Sequence, residues 1–182
     1  MTSSSTRAVT VLALAIGLLF GCASAPPSPE GGAALVQQAT AALREMNELD
    51  PGVEPMARKG HGYALFPEVS KGGLVFGGAY GRGVVYEQGQ HVGYGDLTLG
   101  SFGLQVGGQR YRELIVFEDK AALDRFKQGR LAFRADASVV LTATGTAINA
   151  PFVDGVAVVV MPIDGAMAEA VVAGQQFTYT AK

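Results

Sequence analysis

The chain has 182 residues, of which 48% are apolar, with 14 basic and 16 acidic residues, one cysteine and no tryptophan. This length is sufficient for one domain with a hydrophobic core after removal of a leader. A net charge of −2 is not the footprint of a nucleic-acid-binding protein, which carries a clustered basic face, so we expect no nucleic-acid partner.

The first 21 residues have the form of an export signal. Arg7 precedes a largely apolar run over residues 9–20, which is shorter than the roughly 20 residues that a membrane-spanning helix needs. The next feature, Leu19-Phe20-Gly21-Cys22, resembles the bacterial lipobox, whose cysteine becomes the lipidated first residue of the mature protein. We therefore predict a lipoprotein signal peptide over residues 1–21 and lipidation of Cys22, which also accounts for an otherwise unpaired thiol.

Residues 22–32 are predicted to be the lipidated cysteine and a flexible tether, because they are rich in Pro, Ser and Gly. Each buried methylene contributes about 0.8 kcal/mol, so two or more acyl chains hold a protein firmly on a membrane. Ala23 is not the aspartate that resembles an inner-membrane retention signal, so the predicted location is the periplasmic side of the outer membrane. The alternatives are an ordinary cleaved signal and an uncleaved anchoring helix.

Three stretches have helical character. Apolar residues recur three or four positions apart over residues 33–49, which predicts an amphipathic helix that ends at Asp50-Pro51-Gly52. A shorter helical stretch is predicted over residues 53–59. In residues 118–128 acidic residues lead, basic residues trail and Gly129 follows, as the helix dipole favours. The predicted buried stripe of that helix is Ala122, Leu123 and Phe126.

From Gly60 onward the pattern is that of strands, and residues 60–108 contain 15 glycines. Glycines inside strands mark bends, bulges or close approaches, so their number predicts a strongly curved sheet. The predicted strands are residues 63–66 (ended by Pro67), 73–80 and 83–86 (joined by a tight turn), 97–108, 111–117, 137–144, 155–161, 166–172 and 176–180. Asp164-Gly165 predicts a hairpin turn.

The order of these elements predicts an α+β fold. We expect an N-terminal helix and one further helix, packed on a strongly curved, mostly antiparallel β-sheet that is barrel-like or sandwich-like.

No group of residues in the sequence points to catalysis or to a cofactor. His61 and His91 are 30 residues apart and have no second histidine or cysteine nearby, so no metal site is predicted. Gly100-Ser101-Phe102-Gly103 does not match the G-x-S-x-G nucleophile motif. The glycine run over residues 77–83 leads into a strand pattern, whereas a dinucleotide fingerprint leads into a helix. We expect neither an enzyme nor a cofactor.

Several segments resemble the SYLF domain family, in the family's order. Residues 62–78 (GYALFPEVSKGGLVFGG) resemble its opening, and residues 100–109 (GSFGLQVGGQ) resemble its most specific motif. Residues 114–117, the helix through Phe126 and residues 135–139 follow, and Gly165 and Gly174 match two glycines near its end. The chain is identified as a member of this family, of the bacterial exported lipoprotein type, with the domain over residues 33–182.

The resemblance implies helices packed on a curved antiparallel sheet, and binding of lipid or a membrane interface rather than catalysis. Eukaryotic members are phosphoinositide-binding modules of endocytic adaptor proteins, with actin bundling in the fungal members. Before Gly165 the family often carries a basic Ser-Arg-Ser-Arg stretch, whereas this chain has Met161-Pro162-Ile163-Asp164. Because anionic headgroups need paired donors such as arginine, this departure puts phosphoinositide binding in question.

Other basic residues are the candidates for contact with a lipid headgroup. Arg58, Lys59 and Lys71 lie near the first motif and are the predicted contacts, with solvated loop charges as the alternative. The predicted function is that of an outer-membrane-anchored periplasmic lipoprotein whose SYLF-like domain binds membrane lipid. The alternative is a structural or partner-binding envelope protein, in which the sheet or its edge binds another chain.

Overall fold

Three helices and a seven-stranded sheet form the described part of the chain. The structure, a computed structural model, describes residues 28–73, 76–102, 108–131, 138–140, 146–164 and 174–182. The helices are α1 (Pro29–Leu49), α2 (Val53–Lys59) and α3 (Lys120–Lys127). The strands are β1 (Gly62–Gly73), β2 (Phe76–Glu87), β3 (Gln90–Phe102), β4 (Gln109–Phe117), β5 (Ser138–Val140), β6 (Val156–Asp164) and β7 (Gln176–Ala181). The predicted α+β class is confirmed.

Some predictions fall outside the described residues. These are the signal peptide, Cys22, the strand at 166–172, Gly165 and most of the strand at 137–144. Of the helices that the structure describes, none combines the length and the apolar character needed to cross a membrane.

Helix α1 begins earlier than its apolar periodicity predicted. The Ser28 side chain accepts a hydrogen bond from the N–H of Gly31 at 3.2 Å, and Pro29 occupies the first turn, where its missing N–H costs nothing. The first turn of α1 therefore occupies residues that the sequence assigned to the tether. Leu49, at the end of the helix, is 40% exposed. Four other apolar residues of α1 are buried, namely Leu35, Ala39, Ala42 and Met46.

The strands are arranged in the order β5-β6-β4-β1-β2-β3-β7. The neighbouring strands pair antiparallel except β5 and β6, which run parallel, so the mostly antiparallel prediction is confirmed. Within the described residues the end strands β5 and β7 do not pair with each other, and the sheet is a single open one. The sheet is therefore curved but does not close into a barrel within the described residues.

Two predicted strand boundaries are wrong for reasons visible in the pairing. Strand β1 continues through Pro67, because the register shifts between Leu65 and Glu68, and a proline without an N–H is tolerated at such a bulge. Strand β2 runs without a turn at Gly81, which pairs with Val69. A Cβ at Gly81 would lie 2.7 Å from Val69 Cγ2, so this glycine permits a close approach rather than a turn.

The turn between β2 and β3 is instead at Gln88-Gly89. Both residues have positive φ, 48° and 78°, which is the backbone of a two-residue hairpin turn. The first of these positions is occupied by a glutamine rather than by the glycine, asparagine or aspartate typical of such turns. This is why the sequence did not reveal it.

Hydrophobic cores lie on both faces of the sheet. Helices α1 and α2 cover one face, and α3 packs on the other with Ala122, Leu123 and Phe126 buried as predicted. Asp119 accepts a hydrogen bond from the N–H of Ala122 at 2.8 Å and caps α3. The sheet curves over α3, because the rings of Phe66 on β1 and Phe177 on β7 lie 5.9 Å apart although β2 and β3 separate those strands.

Candidate functional site

Helix α2 forms a wall of two surface clefts. Glu54, Ala57 and Arg58 line one cleft, and Pro55, Met56 and Lys59 line the other. Residues three and four positions apart share a helix face, so these two sets belong to different faces of α2. Arg58 and Lys59 are neighbours in the sequence, yet they border different clefts.

The larger cleft, which we call the charged cleft, has a volume of about 460 Å³. Leu43 of α1, Glu54 and Arg58 of α2, His61 and Tyr63 near the start of β1, and Gln88 of the β2–β3 turn contribute to its lining. Its volume is within the range of about 300–1,000 Å³ that is usual for small-molecule sites. It is therefore large enough for a polar headgroup or a metabolite.

Arg58 and Glu54 form an ion pair one helical turn apart at the mouth of the charged cleft. The Arg58 side chain is 76% exposed and that of Glu54 40% exposed. Exposed ion pairs contribute about 0–1 kcal/mol, because water screens them and both side chains lose conformational freedom. A ligand with suitable charges can therefore replace this internal pair at little cost.

His61 belongs to a hydrogen-bonded chain of ionisable side chains that continues through Glu87 to Lys127. Its Nε2 lies 3.0 Å from Glu87 Oε1, and Lys127 Nζ of α3 donates a hydrogen bond to Glu87 Oε2 at 2.7 Å. Hydrogen bonds from Lys127 and His61 lower the pKa of Glu87 below its usual value, so this carboxyl is ionised at neutral pH. Lys127 also lies 5.6 Å from the ring centroid of Tyr179, which ties the cleft wall to β7.

Tyr63 contributes an aromatic wall to the charged cleft. Its ring stacks on that of Tyr86, with 4.8 Å between centroids and an interplanar angle of 18°. Burial, with a smaller contribution from neighbouring Tyr86, raises the pKa of Tyr63 to about 12. The phenol therefore stays neutral, and its ring is fixed by the stacking partner.

The smaller cleft is apolar and has a volume of about 160 Å³. Met56, Ala147, Ala150 and Phe152 contribute its apolar lining, and Lys59 is its charged lining residue. This volume is well below the usual range for small-molecule sites. The smaller cleft is therefore the weaker candidate.

The three predicted headgroup contacts do not lie together. Arg58 and Lys59 are exposed at the end of α2, just before β1 begins. Lys71 lies at the opposite end of β1, paired with Ala79 and Gln109. From Gly62 to Lys71 the strand advances by nine residue steps, roughly 30 Å at the usual rise per residue, so one small headgroup cannot contact all three. Their roles as lipid contacts stay predictions.

Sequence reasoning missed several residues of the charged cleft. Glu54 was detectable, because it precedes Arg58 by four positions on one helix. His61 was considered as a metal ligand, and no partner was predicted for it. Its partner Glu87 is 26 residues away and is brought close because Gly62 pairs with Glu87 in the sheet.

A second polar group lies inside the core rather than at the surface. Glu113 on β4 is fully buried, and the Gln175 amide donates a hydrogen bond to it at 2.8 Å. Tyr111 Oη lies 3.5 Å from the same amide nitrogen. Neither of the two clefts lined by α2 includes these three residues. Across the described residues, no three His, Cys, Asp or Glu side chains converge as metal ligands.

Comparison with known proteins finds two similarities to this chain. The family model described as Ysc84, Las17-binding protein actin regulator, matches residues 98–180, from β3 to β7. Beta cell expansion factor A of Aeromonas veronii is 27% identical over 140 residues, which are 76% of this chain and 52% of that protein. The chain thus spans about half the length of this relative. The residues that line the charged cleft precede residues 98–180, the range that the family model matches.

The matched range contains the GSFGLQVGGQ motif, Gly165 and Gly174, which carried much of the resemblance drawn from the sequence. The match of residues 98–180 to the Ysc84, or SYLF, family model confirms the resemblance drawn from the sequence.

Proposed function

We propose that the chain is an exported lipoprotein, anchored through Cys22 on the periplasmic side of the outer membrane, whose SYLF domain binds membrane lipid and catalyses no reaction. Lipid binding is the role that the resemblance to the family implies. The observation that carries the proposal for this chain is the charged cleft, where an exposed arginine borders a space of about 460 Å³. A guanidinium is the donor best suited to a headgroup phosphate.

The end of α2 supports contact with a bilayer surface. Arg58 and Lys59 follow each other there and are both exposed. Each cation near an anionic leaflet contributes about 1 kcal/mol to binding, so these two residues add a modest attraction. An acyl anchor at Cys22 would supply most of the membrane affinity, and the domain would then need only weak headgroup binding.

Flotation with vesicles tests lipid binding separately from the acyl anchor. The chain with Cys22→Ser carries no acyl group, and we expect it to float with vesicles that contain bacterial phospholipids. Arg58→Gln should lower the bound fraction at least threefold, whereas Arg44→Gln, at an exposed position of α1 outside the cleft lining, should not. Absence of flotation with every vesicle composition would contradict the proposed function.

Metabolic labelling tests the anchor. The parent chain should incorporate labelled palmitate and fractionate with the outer membrane, and the Cys22→Ser variant should do neither. Equal labelling of the two chains would refute lipidation at Cys22 and the location that depends on it.

Binding of another protein chain is the second candidate function, and strand β7 favours it. This strand forms one end of the sheet, and no described strand pairs with its outer edge. An exposed edge offers unpaired N–H and C=O groups to an added strand. A photo-crosslinking residue at the exposed Thr178 should then capture one partner in the envelope, whereas the same residue at Arg44 should not.

A further inference from the structure

We propose that the charged cleft recognises a zwitterion in which a phosphoryl anion and a primary ammonium are joined by a short linker, as in phosphoethanolamine. This inference rests on the proposed lipid binding and names the headgroup class that the cleft would take. The same chemistry occurs in a membrane lipid and in a free phosphoethanolamine ester, and the experiment below separates these two sources.

Two opposite charges form a pair among the residues that line the cleft. Arg58 and Glu54 lie four residues apart on one face of α2, and both border the cleft. One helical turn rises about 5.4 Å, which is comparable with the separation of phosphate and ammonium across a two-carbon linker. A ligand of this kind exchanges one internal ion pair for two intermolecular ones, so that no charge is left without a complement.

The Glu54 carboxylate opposes the binding of a purely anionic ligand. A phosphate that binds Arg58 without a cation takes the partner away from Glu54 and brings two negative charges together. Like charges in contact oppose binding and act as a specificity device. A headgroup with an ammonium removes this penalty, because the carboxylate gains a new partner.

An aromatic side chain lines the cleft together with these charges. Tyr63 is half-buried in the cleft, and its ring is held in place by stacking on Tyr86. The face of a neutral tyrosine ring attracts cations. A primary ammonium has three N–H donors for a carboxylate, whereas a trimethylated ammonium has none. Glu54 therefore distinguishes ethanolamine from choline, although Tyr63 accepts either cation.

Binding measurements on the Cys22→Ser chain test this inference with three vesicle compositions. These are phosphatidylcholine alone, phosphatidylcholine with phosphatidylethanolamine, and phosphatidylcholine with phosphatidylglycerol. We expect phosphatidylethanolamine to raise binding at least fivefold over phosphatidylcholine alone. Glu54→Gln should remove most of this increase and leave binding to phosphatidylglycerol unchanged or stronger, because a repelling carboxylate has been lost.

Two further variants make the result specific to the cleft. Arg58→Gln should weaken binding to both added lipids, since it removes the phosphate donor. Glu48→Gln neutralises an exposed carboxylate of α1 outside the cleft lining and should change neither. Glu54 and Arg58 are both solvent-accessible, so the variants should keep the parental thermal midpoint.

The two sources of the ligand are separated by titration with soluble phosphoethanolamine. Saturable binding without vesicles that is lost in Glu54→Gln would show that the free ester is sufficient. Binding restricted to phosphatidylethanolamine vesicles, with the same loss in Glu54→Gln, would assign the cleft to a membrane headgroup. Both results support the zwitterion.

Equal binding to phosphatidylethanolamine and phosphatidylcholine would overturn the zwitterion inference. So would a Glu54→Gln variant that loses binding to phosphatidylglycerol as strongly as binding to phosphatidylethanolamine. Either result leaves lipid binding itself intact, whereas failure to bind any of the three vesicles contradicts the proposed function as well.

Discussion

The side-chain amide of Gln175 donates a hydrogen bond of 2.8 Å to the fully buried carboxyl of Glu113. Glu113 lies on β4, Gln175 immediately precedes β7, and β1, β2 and β3 lie between those strands in the sheet. In a flat sheet, strands four positions apart would be about 19 Å from each other. The contact therefore exists only because the sheet curls back over its own face.

The hydrogen bonding between Glu113 and Gln175 depends on whether the Glu113 carboxyl is protonated. Burial raises the pKa of Glu113 to about 8, and the hydrogen bond from Gln175 opposes this rise only in part. Within the described residues, Glu113 Oε1 and Gln175 Oε1 have no hydrogen-bond partner. At neutral pH the carboxyl is mostly protonated, and it then offers one donor and one acceptor, which complement an amide.

Glu113 should make the stability of the protein depend on pH. Between the ordinary value of 4.5 and about 8, the folded chain keeps a proton that the unfolded chain has released. The free energy of unfolding therefore falls as pH rises through this window. Glu113→Gln removes the titration, so relative to the parent its free energy of unfolding should rise, on the order of 2–4 kcal/mol from pH 5 to pH 9.

Urea denaturation of the parent and the Glu113→Gln variant at pH 5, 7 and 9 measures this difference. The Glu48→Gln variant serves as the control, because it neutralises an exposed carboxylate and should keep the parental pH dependence. A constant difference between parent and Glu113→Gln at all three pH values would refute the raised pKa.

Removal of the amide should isolate the contribution of the hydrogen bond. Gln175→Leu keeps a side chain of similar size and leaves Glu113 without the donor, so we expect a loss of about 1–3 kcal/mol in unfolding free energy. The double variant with Glu113→Leu should recover much of that loss, because both polar partners are then replaced. Strictly additive losses in a denaturation cycle would mean that the two side chains are not coupled.

Asp50 should be essential for holding α1 and α2 against a distant segment. Its fully buried carboxylate accepts hydrogen bonds from the N–H of Gly52 at 2.9 Å and from that of Ala147 at 2.6 Å. Asp50→Ala leaves both donors without this acceptor, and we expect a loss of about 3 kcal/mol or more, since each unpaired buried group costs about 1–3 kcal/mol. Asp50→Asn keeps one acceptor and should lose less.

Hydrogen exchange gives the local readout for Asp50. The Ala147 amide should exchange much faster in Asp50→Ala than in the parent, beyond what global destabilisation explains. Unchanged relative protection of this amide would show that Asp50 does not hold the segment.

Substitution by alanine should destabilise the protein at one strand glycine and have almost no effect on stability at another. A Cβ at Gly83 would lie 2.7 Å from the carbonyl oxygen of Leu65 and 2.8 Å from Phe66 Cδ1, whereas a Cβ at Gly72 would meet nothing within 4 Å. Gly83→Ala should therefore cost at least about 2 kcal/mol, because backbone or a core ring must move. Gly72→Ala should stay within about 0.5 kcal/mol of the parent, as is usual for surface changes. Similar melting temperatures for the two variants would contradict this assignment.

Local sequence signals were sufficient for the helices. The buried stripe of α3 follows from apolar spacing, and the acidic start of that segment supplies the cap, Asp119. Both features depend on residues only a few positions apart. The strand ends were harder to predict, because glycine and proline mark turns in one context and bulges or close approaches in another. Gly81 and Pro67 belong to the second kind, and only their pairing partners on the neighbouring strands distinguish the two cases.

Part of the candidate site could also be predicted from the sequence, and part required the tertiary structure. Arg58 and Lys59 were predicted as headgroup contacts because they are basic and lie near the first motif. Their separation into two clefts follows from the rotation of about 100° per residue along α2. The grouping of Arg58 with His61, Tyr63 and the β2–β3 turn required the register of β1 and β2.

The sequence by itself determined the approximate positions of the helices, the α+β class and the resemblance to the family, because periodicity and motifs depend on neighbouring residues. Only the tertiary structure decided how far the sheet curls, which charges share a cleft and where Glu113 meets Gln175. These depend on strand register and sheet curvature, which bring Glu113 and Gln175 together although they are 62 positions apart along the chain.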